Sequence, residues 1–423
     1  MRFLLSLVGL LGAACAQKDI CDTDCQKGCD AACQAAIQGT YESESKLWVS
    51  DIVSDPFYST PANISSAKPG DILRWEAVPA ALLSRNWTIP ASLSLYRFMY
   101  ATEDLDNSTI PATAGLYYDW KAPFILAESG YAVIAPDYSG QGSDIPQGFM
   151  YEAGFLHAAD VAYSVVAARK VIGNFLSRKW AVFGHSEGGM TAWRTAERLA
   201  RKGEERLHKA GEFIGAVAAA PALRPQKLIP LSWKQTGTGG GPFSVYFLQS
   251  LAKLFPKQIK VEDYLADVTQ QRLQVLDDSC FQTGFAAVGT LSPEQLFKNT
   301  SWLQHPATNE WAVLYNGQGP YPLAAPLLVI QGVNDTITPA VLTMEDFNLT
   351  CSSYPKSPIH AKLYPEMGHG QVLESARADI EAWLDARFNG KPAGKACSID
   401  NIEPLTENYA RGELFWAANI VPF

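Results

Sequence analysis

The chain has 423 residues and is 47% hydrophobic, 11% aromatic and 18% charged. That is enough apolar material for one large α/β core with an inserted subdomain, and it excludes disorder, collagen and coiled coil. Lys and Arg total 34 against 43 Asp and Glu, a formal charge of −9. With no basic run in the sequence, nucleic acid is excluded as a partner and an acidic, soluble protein acting on something small is expected.

At the N-terminus Arg2 precedes an apolar run over residues 3–14 that closes on Ala14-Cys15-Ala16. A basic start, an apolar stretch too short to span a bilayer and a small-residue cleavage site predict a signal peptide over residues 1–16, and hence a secreted, extracellular protein. No later run reaches the roughly 18 apolar residues of a membrane helix, so no stable membrane anchor is expected. Sequons at Asn63, Asn86, Asn107, Asn299, Asn334 and Asn348 fit a glycoprotein on that route.

Of eight cysteines, Cys15 would leave with the leader, and Cys21, Cys25, Cys29, Cys33, Cys280, Cys351 and Cys397 would remain, one of them without an intramolecular partner. The spacing of four through Cys21, Cys25, Cys29 and Cys33 would line one helix face with sulfur. In an oxidising compartment, with no histidine nearby, this favours disulfides over a zinc site, and neither metal nor cofactor is expected.

After a Cys-rich extension over residues 17–72, short apolar strands alternate with helical stretches, the rhythm of a mostly parallel sheet covered on both faces. Strands are predicted over residues 93–100, 113–118, 131–136, 180–183, 213–218, 326–331 and 359–364. Helices are predicted over residues 121–129, 153–172, 188–201 and 376–388. The rhythm breaks between residues 221 and 323, where a Gly-rich loop at residues 237–242 and helical segments over residues 243–254 and 261–275 predict a helical cap over the carboxyl edge of the sheet. The α/β core is thereby divided into residues 73–220 and residues 324–423, the latter including the C-terminal tail.

Gly184-His185-Ser186-Glu187-Gly188 follows a predicted strand and opens a predicted helix, the setting of a nucleophile elbow. A serine hydroxyl is a weak nucleophile near neutrality, so a histidine must take its proton and a carboxylate must hold that histidine in the right tautomer. In this chain order the acid and then the base follow the serine. From the two C-terminal strands onward the only histidines are His360 and His369. His360 falls within a strand, whereas His369 sits in the loop Glu366-Met367-Gly368-His369-Gly370, so His369 is the expected base. Asp335 ends the preceding strand and is the expected acid. Asp137 comes before the serine, and Asp346 falls in a helix where an exposed carboxylate is the ordinary reading. With Asp335 buried against His369, the Asn334 sequon is expected to be unused.

The segment Ala122-Pro123-Phe124-Ile125-Leu126-Ala127-Glu128-Ser129-Gly130-Tyr131-Ala132-Val133-Ile134-Ala135-Pro136-Asp137-Tyr138, the elbow, the acid turn from Gly332 to Pro339 and Gly368-His369 together resemble the fungal secretory lipase family, lipase A type, over about residues 73–388. The resemblance implies an α/β-hydrolase fold with a helical cap forming the acyl pocket. It also implies a secreted carboxylic-ester hydrolase, often a triacylglycerol lipase, with Ser186, Asp335 and His369 as nucleophile, acid and base. A small ester or lipid is the implied substrate, met with transient contact at a lipid interface; oligomeric state is left open.

The chain departs from that family where Tyr118-Asp119-Trp120 runs directly into the helix from Lys121. A strand and loop are absent there, which reads as a splice variant or a misassembled gene model. The absent strand predicts a gap in the middle of the sheet. The absent loop would leave Glu187 N–H as the oxyanion donor that remains, and losing one donor costs about a hundredfold to a thousandfold in rate. Two alternatives follow: a catalytically impaired or non-catalytic secreted binding protein on this scaffold, and, within the same chemistry, a secreted serine peptidase.

Overall fold

The computed structural model describes residues 2–8, 29–47, 55–78, 93–115, 126–127, 129–279 and 281–403. In chain order these form β1 (Arg2–Val8), α1 (Ala31–Leu47), β2 (Ile72–Ala77), β3 (Tyr96–Glu103), β4 (Thr109–Gly115), β5 (Tyr131–Pro136), α2 (Gly154–Ile172), β6 (Lys179–His185), α3 (Glu187–Arg198) and β7 (Glu212–Ala219). The cap follows as α4 (Pro225–Thr236), α5 (Pro242–Leu254), α6 (Val261–Tyr264), α7 (Asp267–Gln271), α8 (Leu273–Asp278), α9 (Phe281–Val288), α10 (Pro293–Leu296) and α11 (Pro306–Leu314). The chain returns through β8 (Leu327–Gly332), α12 (Ala340–Ser353), β9 (Ile359–Tyr364), α13 (Gln371–Ser375), α14 (Arg377–Phe388) and β10 (Ser398–Asn401).

All ten strands join one sheet in the order β10-β9-β8-β7-β6-β1-β5-β4-β3-β2. From β5 across to β10 neighbours run parallel, while β2, β3, β4 and β5 pair antiparallel. The α/β reading of the sequence therefore holds, with β2 and β10 as additions that the apolar rhythm did not signal. The predicted strand over residues 113–118 begins earlier, at Thr109, and residues 116–118 lie outside the described residues, as does most of the predicted helix over residues 121–129.

Burial on both faces explains the continuous apolar runs. Every residue of β8 is buried. On one face α2 and α3 pack with Trp180, Val182, Trp193, Phe98 and Tyr100 into a single core. On the other, Ile380, Leu384 and Phe388 of α14 close over Ala181, Phe183, Val217 and Leu328. The predicted helix over residues 261–275 is broken into α6, α7 and α8, because Leu265 leaves helical geometry to bridge Phe297.

Two departures concern the N-terminal quarter. The middle of the sheet holds β1, seated between β5 and β6 with Leu4 opposite Val133 on one side and Val8 opposite His185 on the other. The same residues were assigned by their sequence to a removable leader. One apolar run suits both roles, but a chain cut after residue 16 has no β1. The second departure is α1, expected only as part of a Cys-rich extension. Its Ile37 and Tyr41 enter the core of the cap beside Val245, Leu276 and Ala287. Its Glu44 carboxylate accepts hydrogen bonds from the backbone of Gln282 (2.6 Å) and Thr283 (3.1 Å) at the start of α9.

Disulfides join Cys29 to Cys33 and Cys351 to Cys397, so the oxidised reading of the cysteines stands at these four positions. Cys15, Cys21, Cys25 and Cys280 lie outside the described residues.

Candidate active site

β6 delivers the elbow. At its end Ser186 takes φ 59° and ψ −122°, a backbone state that side chains with a Cβ rarely adopt and that persists only where surrounding bonds hold it. Those bonds are present: Ser186 N donates to Ala219 O at 2.9 Å, and Ser186 O accepts from Met190 N and Ala222 N. Gly189 permits the approach of α3 to the end of β7, since a Cβ there would sit 2.5 Å from Ala219 O. Ser186 occupies the N-cap position of α3, yet its hydroxyl makes no capping bond. The side chain is partly exposed and its oxygen is left to chemistry rather than to the helix.

β8 and β9 bring the other two groups. A Cβ at Gly332 would meet Met367 O at 2.4 Å, so the glycine lets the turn after β8 lie directly against the loop after β9, and Asn334 N bonds Met367 O across that contact. Asp335 is buried, with four donors around its carboxylate: Ile337 N (2.9 Å) and Thr338 N (2.8 Å) on Oδ1, and Thr338 Oγ1 (2.7 Å) and His369 Nδ1 (2.8 Å) on Oδ2. Burial alone would raise this carboxyl. The facing His369 and the donated hydrogen bonds outweigh it and hold Asp335 below the usual carboxylate range.

His369 is tied to the elbow from the other side. His185 Nε2 lies 2.9 Å from His369 O, and the two rings stand 4.5 Å apart. His369 Nδ1 is engaged by Asp335 and Thr338. Its Nε2 makes no protein hydrogen bond among the described residues.

Glu187 begins α3, so its backbone N–H stands at a helix N-terminus where anionic charge is favoured. Its side chain turns the other way into the interior, accepting from Glu152 N at 3.0 Å, with His157 Nδ1 at 3.8 Å. Burial pushes Glu187 up to about 8 and His157 down to about 3. Both are therefore uncharged at neutral pH, and their proximity is not an ion pair. Trp120 and Lys121, the junction at which the segment expected to carry a second oxyanion donor is absent from the sequence, lie outside the described residues.

The rival residues are accounted for by other partners. His360 Nε2 pairs with Asp400 of β10 at 2.9 Å, and Asp137 bonds Thr113 Oγ1. Asp346 is not the exposed helix carboxylate its sequence suggested. It is buried on α12 and takes a two-pronged bond from Arg224 (2.9 and 2.8 Å), because Arg224 enters α4 facing α12 across the edge of the cap. Thr338 and His185 are the contributors that sequence reasoning passed over. The Asp-x-x-Thr spacing of the acid turn carried a usable signal, since a hydroxyl three residues after a carboxylate folds back onto it.

The sequence profile of the Hydrolase_4 family, described as serine aminopeptidase S33, matches residues 121–376 of this chain. The chain belongs to that family of α/β hydrolases. This hydrolase is 24% identical over 417 residues to secreted triacylglycerol lipase LIP3 of Malassezia globosa, covering 86% of the chain and 88% of the relative. It is 22% identical to Lipase 10 of Candida albicans, covering 81% and 82%. Among solved structures it resembles Candida antarctica lipase A in its closed state, with a TM-score of 0.63 at 16% identity over 86% of this chain and 93% of that one. It also resembles the rice cell wall degrading esterase LipA of Xanthomonas oryzae, with a TM-score of 0.58 at 14% identity over 76% and 99%. At those identities the structures establish the fold.

Proposed function

We propose that this hydrolase is a secreted serine carboxylic-ester hydrolase of the lipase and esterase type, working through Ser186, Asp335 and His369 and an acyl-enzyme. The observation that carries the reading is the 2.8 Å bond from His369 Nδ1 to a four-donor Asp335, with His369 O bonded to His185, the neighbour of a serine held at positive φ. His369 Nε2 takes the proton as Ser186 Oγ attacks the ester carbonyl. Nδ1–H stays on Asp335, whose charge stabilises the imidazolium. Glu187 N–H donates to the oxyanion, and His369 then returns its proton to the leaving alcohol. Water activated by the same imidazole releases the acid and frees the serine.

The ester class is supported by the relatives, whose names are those of lipases. Secretion is supported by the apolar leader, the name of the Malassezia relative and the two disulfides, and no helix among the described residues is long and apolar enough to cross a membrane. In the cap, the partly buried Phe243 and Tyr246 pack against Tyr151. Phe247, Leu248 and Leu251 are buried in the core of the cap itself, against partners such as Trp302 and Trp311, and are structural.

A fluorophosphonate probe followed by p-nitrophenyl esters from acetate to palmitate tests the proposal. Labelling at Ser186, and ester turnover lost by about four to six orders of magnitude in Ser186→Ala, are expected. A folded protein that neither labels nor turns over any ester is instead a binding protein. Turnover of aminoacyl amides in preference to every ester would move it to the peptidase chemistry that the family description names.

A further inference from the structure

Thr338 places a hydroxyl oxygen among three separate chain segments at the site. It lies 2.7 Å from Asp335 Oδ2 in its own turn, 3.1 Å from His369 Nδ1 in the loop after β9 and 3.1 Å from Ala220 O just past β7. The residue is 2% exposed, so it meets neither bulk water nor substrate. We propose that Thr338 is a positioning residue of the reaction, its hydroxyl fixing Asp335 Oδ2 and the His369 ring relative to each other beside the end of β7.

A threonine hydroxyl has one proton. Asp335 Oδ2 is the nearer and the charged acceptor, so the proton goes there, which turns the oxygen lone pairs of Thr338 toward His369 Nδ1–H. Oδ2 then has two donors, the hydroxyl and the imidazole, and the carboxylate is pinned at both oxygens. Ala220 O belongs to the same short segment whose Ala219 O accepts from Ser186 N. The hydroxyl thus lies where the acid and base meet the support of the nucleophile. Without it Oδ2 has the imidazole alone, the carboxylate rotates more freely, and the base loses its fixed aim at Ser186.

The inference rests on the triad reading given above, and the test separates the two. Thr338→Val keeps the volume and the backbone N–H to Oδ1 but removes the hydroxyl, and Thr338→Ser keeps the hydroxyl. With a short p-nitrophenyl ester, Thr338→Val is expected to lower kcat by about tenfold to a hundredfold with KM unchanged. The low-field proton resonance of His369 Nδ1–H should shift or vanish with it, and Thr338→Ser should restore both. A Thr338→Val enzyme with kcat within twofold of the parent and an unmoved resonance overturns the inference, as does equal loss in both variants with a lowered melting point, which marks a purely structural residue. Ser186→Ala is run in parallel: full activity there sinks the triad itself, whereas an inactive Ser186→Ala beside an unaffected Thr338→Val sinks the role of Thr338 alone.

Discussion

The two flanks of β1 are organised by different means. On one side β6, β7, β8 and β9 stand in chain order, each separated from the next by at least one helix, so connectivity alone puts them side by side and brings Ser186, Asp335 and His369 to a common edge. On the other side β5, β4, β3 and β2 pair antiparallel. β1 itself comes from the far N-terminus and is a sequence neighbour of neither β5 nor β6. Strands linked by short crossovers inherit their place from the chain. β1 keeps its place through pairing with two strands that it does not adjoin in sequence, and that pairing is lost when the segment is removed.

The largest expected effect sharpens the ordered side. Asp335→Asn keeps the fold but offers His369 the wrong hydrogen-bonding group, and kcat should fall by about ten-thousandfold while the melting point changes little. Steady-state kinetics beside a thermal scan checks both. If activity survives, the parallel edge holds a different acid.

The next effect breaks the comparison at β1. A chain beginning at Gln17 should expose the facing edges of β5 and β6 in the middle of the sheet. It should unfold at a melting point lower by more than about 10 °C and aggregate more readily than the full chain. Side-by-side scans of the two chains, with intact mass to define each N-terminus, decide this. Equal melting points would mean that β5 and β6 close without β1.

The smallest effect follows from buried acids on both flanks. Burial raises Glu187 to about 8 and Glu197, Asp137 and Asp160 to about 7. Between pH 4.5 and 8 the native state therefore retains protons that the unfolded chain has released, and stability falls as pH rises through that range. His157, lowered to about 3, opposes this below pH 6.5, because there the unfolded chain binds the proton that the native ring refuses. Denaturant midpoints at pH 6.5, 7.5 and 8.5 should decline in order, and Glu187→Gln should flatten the decline. A rise over that range would show that these carboxyls are ionised in the native protein.

What the sequence made legible follows the same division. Ser186, Asp335 and His369 could be picked out because each follows the end of a strand, where runs such as Leu327 to Ile330 stop abruptly at a polar turn. Asp346 was misjudged because helix periodicity describes one element at a time, and its partner Arg224 comes from a helix more than a hundred residues earlier. Thr338 was passed over because two of its three contacts, His369 and Ala220, come from segments distant in the chain. β1 falls within the expected leader for a plainer reason: the run Arg2 to Val8 reads the same whether it is destined for a translocation channel or for the centre of a sheet. The cap was bounded at residue 221, yet part of its core comes from residues 37 and 41.

That last feature bears on how the molecule can flex. With Glu44 seated on the first turn of α9 and Tyr41 interleaved among its apolar side chains, the N-terminal helix and the roof over Ser186 share one interior. A rigid-body swing of the roof cannot shear along that junction without tearing open the interior. Any displacement of the cap would therefore carry α1 with it, so a clamp placed on α1 would hold the cap from a distance.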